Sequence, residues 1–322
     1  MEEKNYFRQI EKIFKMKKED IEKEFLHQTD IDFHFYYRDL FKNPKKMTYY
    51  ENFNKHIISV TNGKCKKVLD IGCGFGLDTI YLCVSGARVI GMDVDEEKLD
   101  VFKEILNRLT PPLDDIEVRL GDAVEIDFQE EKFDIIVCNE MISHVRNLDL
   151  FLYKMYKALK RGGLLYIHDN NNKFSIHGRY KRRVIWKNAE NKYKLLRENI
   201  IRKMFNLKQD ELINLLAEKT AGMYGDEIPQ AVCDYLKEGK ITKKVISKSR
   251  DPISGFYLER EFNPYDLRKK LFNIGFRTKI LHPYFVVENS SLAVRFVSQA
   301  IKIFHPFSLF ASPKFEILAK KV

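Results

Sequence analysis

The stretch KVLDIGCGFG, residues 67–76, limits what this chain can become more than any other. Val68, Leu69 and Ile71 form a short apolar run that stops at Gly72, Gly74 and Gly76, the pattern of a buried parallel strand handing over to a tight turn before a helix. Glycine suits such a turn because the backbone can take positive φ and a ligand can approach with no Cβ in the way. The spacing is G-x-G-x-G. Leu77 stands where the dinucleotide fingerprint G-x-G-x-x-G has its last glycine, which argues against a nicotinamide cofactor.

Ala87 to Met92 reads as a second buried strand, ending in Asp93 about twenty residues beyond the turn, where a carboxylate accepts the two hydroxyls of a ribose. Acid, glycine turn and second acid on adjacent strand ends together resemble the class I S-adenosylmethionine-dependent methyltransferases. Asp70, Gly72, Gly74, Gly76 and Asp93 fall on that family's signature. The resemblance implies S-adenosylmethionine as cofactor, held by Asp70, Gly72, Cys73, Gly74, Gly76, Asp93 and Val94. It also implies that Asp122, in Gly121-Asp122-Ala123 after the third strand (Ile116 to Leu120), meets the adenine amino group. A turn-forming Asp is an equal reading of that position. Asn139, ending the fourth strand (Phe133 to Cys138), completes the expected cofactor set.

Strand and helix alternate from 67 to 169, which means an α/β architecture with a parallel sheet covered on both faces. Asp95 is placed to cap a helix that Pro111 and Pro112 end, and Leu148 to Leu159 mark a helix face expected to stop at Gly162-Gly163. By resemblance the sheet is doubly wound and seven-stranded, its last two strands a hairpin drawn from Arg277–Val287 and Phe315–Val322. The expected division is an N-terminal helical segment over 1–60, a cofactor-binding domain over 61–173 and 262–322, and a helical insertion over 174–261 ahead of the closing helix, which Pro264 opens and Gly275 ends.

The net charge of +10 is concentrated. Lys173 to Lys208 holds twelve basic residues against Glu190 and Glu198, so the rest of the chain sums to zero. Such a block suits an anionic partner, with a solvated helical surface as the plainer reading. RNA is the rival substrate, with Tyr180, Trp186 and Tyr193 as stacking aromatics, although no known RNA-binding module is evident. The five cysteines lack C-x-x-C spacing and read as reduced residues of a cytoplasmic protein.

Methyl transfer asks mainly for alignment and exclusion of water, with a base where the acceptor arrives protonated. His144, His168 and Asp169 lie at the strand ends and are the candidate catalytic residues. Glu140, Asp169 and Asn170 together resemble a divalent-ion site of some diol-methylating relatives, but the Glu departs from their Asp, so no metal is assigned. Residues 139–142 read NEMI rather than the Pro-Pro tetrad of base-amine enzymes, and Cys138 follows Val137 rather than Pro, which sets both nucleobase classes aside. The expected reaction is transfer to oxygen, or second to nitrogen, of a polar and anionic small molecule, glycan or lipid-linked acceptor. The alternatives are an RNA methyltransferase and a silent nucleoside-binding domain. The apolar stretch 291–311, with Arg295 and Lys302 on one stripe, suits peripheral contact at the inner membrane face or a homodimer seam, with folding back over the domain as the plain alternative.

Overall fold

The computed structural model describes residues 2–15, 44–62, 66–126, 128, 132–170, 172–242, 249–281, 309–310 and 312–322. Among these residues two helices, α1 (Glu2–Lys15) and α2 (Pro44–Thr61), precede β1 (Lys67–Ile71). Then come α3 (Leu77–Val84), β2 (Arg88–Asp93), α4 (Glu96–Asn107), β3 (Ile116–Leu120), β4 (Phe133–Asn139), α5 (Leu148–Ala158) and β5 (Leu159–Asp169). Three helices follow, α6 (Ile176–Phe205), α7 (Asp210–Lys219) and α8 (Glu227–Glu238), before α9 (Pro264–Ile274), β6 (Phe276–Leu281) and β7 (Phe315–Lys321).

The seven strands form one sheet in the order β3-β2-β1-β4-β5-β7-β6, and only β7 runs antiparallel to its neighbours. This is the doubly wound sheet with a terminal hairpin that the resemblance implies. Strand β1 lies between β2 and β4, where successive crossovers turn to opposite sides and open a crevice beyond the carboxyl ends. Val68 and Leu69 are fully buried there; each such side chain contributes about 1.5–3 kcal/mol through its removal from water. The register Ile71↔Met92 sets the glycine turn beside the end of β2, which is how Asp93 reaches it.

Local signals account for most helix ends. Asp95 accepts the N–H of Lys98, Asn263 accepts that of Tyr265, and Gly275 ends α9 at φ +116. Gly162-Gly163 behave differently from expectation. Helix α5 stops earlier, at Ala158, and the glycines sit inside β5, where the pairing jumps from Phe133↔Leu159 to Ile135↔Leu164. Gly162 takes φ +79, and a Cβ on Gly163 would lie 2.9 Å from the Lys160 carbonyl oxygen, so the pair permits a bulge rather than a helix stop.

Helices α6, α7 and α8 bury their own small core around Ile201, Leu216, Ile228 and Val232. Some of the concentrated positive charge is spent internally. Arg197 is fully buried, donating to the Ala217 carbonyl and pairing with Glu190; Arg182 pairs with Glu261 and donates to the carbonyls of Asn170 and Asn172. Tyr193 is buried and Trp186 donates its indole N–H to the Glu259 carbonyl at 2.9 Å, leaving Tyr180 exposed. The three aromatics expected to interleave for stacking therefore do not form one surface array, because two of them serve packing and hydrogen bonding. No helix among the described residues is long and apolar enough to cross a membrane. Residues 16–43 of the expected N-terminal helical segment, the end of the expected strand 277–287 and nearly all of 291–311 lie outside the described residues.

Candidate active site

A cavity of about 580 Å³ opens beyond the carboxyl ends of β1, β2 and β4. The glycine turn forms one wall. Gly72 and Cys73 donate their N–H groups to the Met92 carbonyl, and Gly74 donates to Asp93 Oδ2 at 2.8 Å. Asp93 Oδ1 accepts the N–H of Asp95 at 3.0 Å, so one carboxylate ties the turn to the exit of its own strand. The glycines divide the work. Gly74, at φ +51, has open space where a Cβ would stand, whereas a Cβ on Gly76 would lie 2.0 Å from the Phe102 ring. Gly74 thus leaves room for a ligand and Gly76 leaves room for the core.

Gly72, Cys73, Gly74, Asp93, Val94, Asp122, Ala123 and Asn139 line the cavity. Asp70 and Gly76 stand behind it. Asp70 is buried and accepts the Thr79 hydroxyl at 2.6 Å; burial, then the charge of Asp78, pushes its carboxyl up to about 7. Asp122 caps its own turn through the Val124 N–H and takes the Arg146 guanidinium at 2.7 Å, so the turn-forming reading of this residue holds while it also faces the cavity.

Asn139 anchors a polar chain that sequence reasoning missed. Its amide donates to Asp78 Oδ2 at 2.8 Å, while Asp78 Oδ1 accepts the Tyr50 hydroxyl at 2.5 Å. That orientation turns the Asn139 carbonyl oxygen toward His168 Nδ1, 2.6 Å away, so Nδ1 carries the proton. His168 is 1% exposed, and burial, reinforced by Lys314 and His56, holds its pKa well below the ordinary imidazole value. It stays neutral.

His144 lies on the short turn after β4, exposed and lining the cavity. Its Nδ1 is 2.9 Å from the Tyr257 carbonyl, which can only accept, so Nδ1 bears hydrogen and the lone pair of the neutral ring falls on Nε2. Asp169, expected at the chemistry, is fully buried and outside the cavity lining; it accepts the backbone N–H of Ser143 at 3.2 Å and so braces the turn that carries His144. Burial, then the charge of Glu140, pushes its carboxyl up to about 6. Glu140, at φ +53, pairs with Lys314 across the cavity at 3.4 Å. Among the described residues no three His, Cys, Asp or Glu side chains gather to hold a metal.

Phe256 and Tyr257 form a further wall, brought from the last part of the 174–261 segment. Tyr257 donates its N–H to the His144 carbonyl, and Arg260 donates its own to the Ser143 carbonyl. Nothing in their local sequence marks Phe256 or Tyr257 for this position, since the contact spans more than a hundred residues. Phe53 of α2 faces the same space, with the His168 ring tilted against it at 4.6 Å between centroids.

Residues 69–167 match a family model described as a methyltransferase domain. The ubiquinone biosynthesis O-methyltransferase of Bartonella tribocorum is 32% identical over 143 residues, 42% of this chain and 56% of that protein. The mitochondrial ubiquinone biosynthesis O-methyltransferase of Rattus norvegicus is 38% identical over 103 residues, 31% of this chain and 30% of that protein. The chain thus spans about half or less of these curated relatives. Among solved structures, a putative S-adenosylmethionine-dependent methyltransferase from Listeria monocytogenes is similar at TM-score 0.47 and 16% identity, over 85% of this chain and 98% of that one.

Proposed function

We propose that this chain, which carries a class I S-adenosylmethionine-dependent methyltransferase domain, transfers a methyl group to a hydroxyl oxygen of a polar small molecule. The observation that carries the reading is the Asp93 carboxylate held against the glycine turn, beside the open side of Gly74, in a cavity of nucleoside size. Oxygen is favoured as the acceptor atom because the curated relatives are O-methyltransferases.

The residues present fit the cofactor. Asp93 would hold the ribose hydroxyls, the backbone of Gly72 to Gly74 would lie under the methionine portion, and Asp122 with Ala123 would border the adenine. When bound, S-adenosylmethionine supplies an electrophilic methyl on positively charged sulfur, and transfer leaves S-adenosylhomocysteine. His144 takes the acceptor's hydroxyl proton at Nε2, with the Tyr257 carbonyl fixing the tautomer and stabilising the imidazolium. His168 serves as a neutral positioning group: its Nδ1–H fixes Asn139, which in turn fixes Asp78. Phe53, Phe256 and Tyr257 exclude water from the acceptor side.

We divide the chain accordingly, with 61–173 and 262–322 as the cofactor domain and 174–261 as an insertion that supplies the acceptor wall. The acceptor we propose is anionic, for which Lys314, on the cavity wall and paired there with Glu140, is the support. A screen that follows S-adenosylhomocysteine release over pools of phenols, hydroxy acids, glycans and RNA tests the reading. Turnover confined to hydroxyl acceptors supports it. Turnover on RNA alone, or consumption by none of the pools, removes it.

A further inference from the structure

A second cavity, about 670 Å³, lies on the other side of Tyr257, between the start of α5, the start of α9 and the 249–262 strap. Its walls carry acidic and basic groups, but most of the acids are already engaged. Asp149 pairs with Lys270 at 2.6 Å, Glu227 with Arg250, and Glu261 with Arg182. Arg260 differs from these cations. It is 5% exposed, and no carboxylate among the described residues stands within ion-pair distance of it; Asp169 and Asp149 act only from farther off. Its Nη2 donates to the carbonyls of Val145 at 2.9 Å and Ile142 at 3.4 Å, its guanidinium stacks on the Tyr257 and Phe262 rings, and its Nε has no hydrogen-bond partner.

A buried guanidinium without a counter-charge is costly, because rings and carbonyls return only part of the hydration it has lost. The expense is recovered when an anion enters beside it, and a guanidinium offers parallel N–H donors that match the paired oxygens of a carboxylate or phosphate. Lys173, exposed at the same cavity, adds a second cation.

We propose that this cavity is an oxyanion-binding site, distinct from the methyl-transfer cavity, that takes the carboxylate or phosphate group of a small ligand against Arg260 and Lys173. The site stands independently of the proposed methyl transfer. Because Arg260 also holds the Ile142 and Val145 carbonyls on either side of His144, a bound anion is set to steady the turn that carries that histidine.

The chain's single tryptophan, Trp186, lines the cavity and reports on it. Its fluorescence is to be titrated in the full-length protein with inorganic phosphate and, separately, with benzoate, at ionic strength held constant with chloride. The expected result is a saturable change with at least one of the two, weakened at least tenfold by Arg260→Gln and severalfold by Lys173→Ala. The tighter of the two probes names the anionic group. Arg260→Gln also loses carbonyl contacts, so circular dichroism checks its fold, and the exposed Lys173→Ala keeps the test decisive if that variant does not fold. A change that rises linearly, that chloride reproduces, or that Lys173→Ala leaves at wild-type affinity overturns the proposal.

Discussion

His144 Nδ1 lies 2.9 Å from the carbonyl oxygen of Tyr257, a residue 113 positions away that belongs to the strap closing the second wall of the cavity. The contact joins the turn after β4 to the 249–262 strap on the cavity wall, and it fixes which imidazole nitrogen is left for the proposed proton removal.

Replacing His144 by Gln therefore lowers kcat on a hydroxyl acceptor by roughly 10²- to 10⁴-fold, the usual contribution of a positioned base. The dissociation constant for S-adenosylhomocysteine stays within about twofold. Steady-state kinetics with a calorimetric control checks both, and a wild-type kcat at pH 6 to 9 would return the base assignment to zero.

The two glycines of the turn separate by assay. Gly74→Ala keeps the fold, since open space surrounds the added methyl, at about 1–2 kcal/mol for a left-handed non-glycine residue, but it weakens cofactor binding. Gly76→Ala drives a methyl into the Phe102 ring and destabilises the whole domain by roughly 3 kcal/mol or more. Chemical denaturation beside cofactor titration reads the two losses independently, and the same profile for both variants would contradict this division.

Asp169 gives a pH signature. Its carboxyl, near 3.9 in an unfolded chain and raised to about 6 here, binds its proton more tightly when folded. That stability is fully present below about pH 4 and is lost as pH rises through about 6. Asp169→Asn should gain on the wild type by roughly 2–3 kcal/mol between pH 4 and 8, as measured by denaturation midpoints across that range. A difference that stays flat with pH would show that Asp169 ionises as freely folded as unfolded.

We propose that Phe256 belongs to the acceptor side. Phe256→Ala is expected to raise KM for the acceptor severalfold while cofactor affinity holds, because its ring walls the cavity from the strap rather than from the glycine turn. Parallel loss of cofactor binding would place the ring on the wrong ligand.

The cofactor half of the cavity was legible in the chain because its determinants are local. An apolar run, three glycines and an acid at the end of the next strand fix a turn by backbone conformation and register, and Asp93 meets Gly74 as that logic requires. The half proposed for the acceptor was not, because its lining is assembled from distant pieces. Phe53, Phe256 with Tyr257, and Lys314 arrive from three separate stretches, and their meeting depends on how α2, the strap and the approach to β7 pack over the sheet. Asp169 lies outside the cavity lining, and Gly162-Gly163 depart from expectation, for a related reason. Their residue types suggested a site and a stop, while the sheet used them as a buried brace and a bulge.

Calorimetric titration of S-adenosylhomocysteine into the wild type and Asp93→Ala measures cofactor binding at the glycine turn. The account predicts one site per chain in the wild type and at least a tenfold loss in the variant, which forfeits charge-assisted hydrogen bonds to the ribose and the tie to Gly74. Equal affinity in the two proteins, or no heat of binding in the wild type, would contradict it.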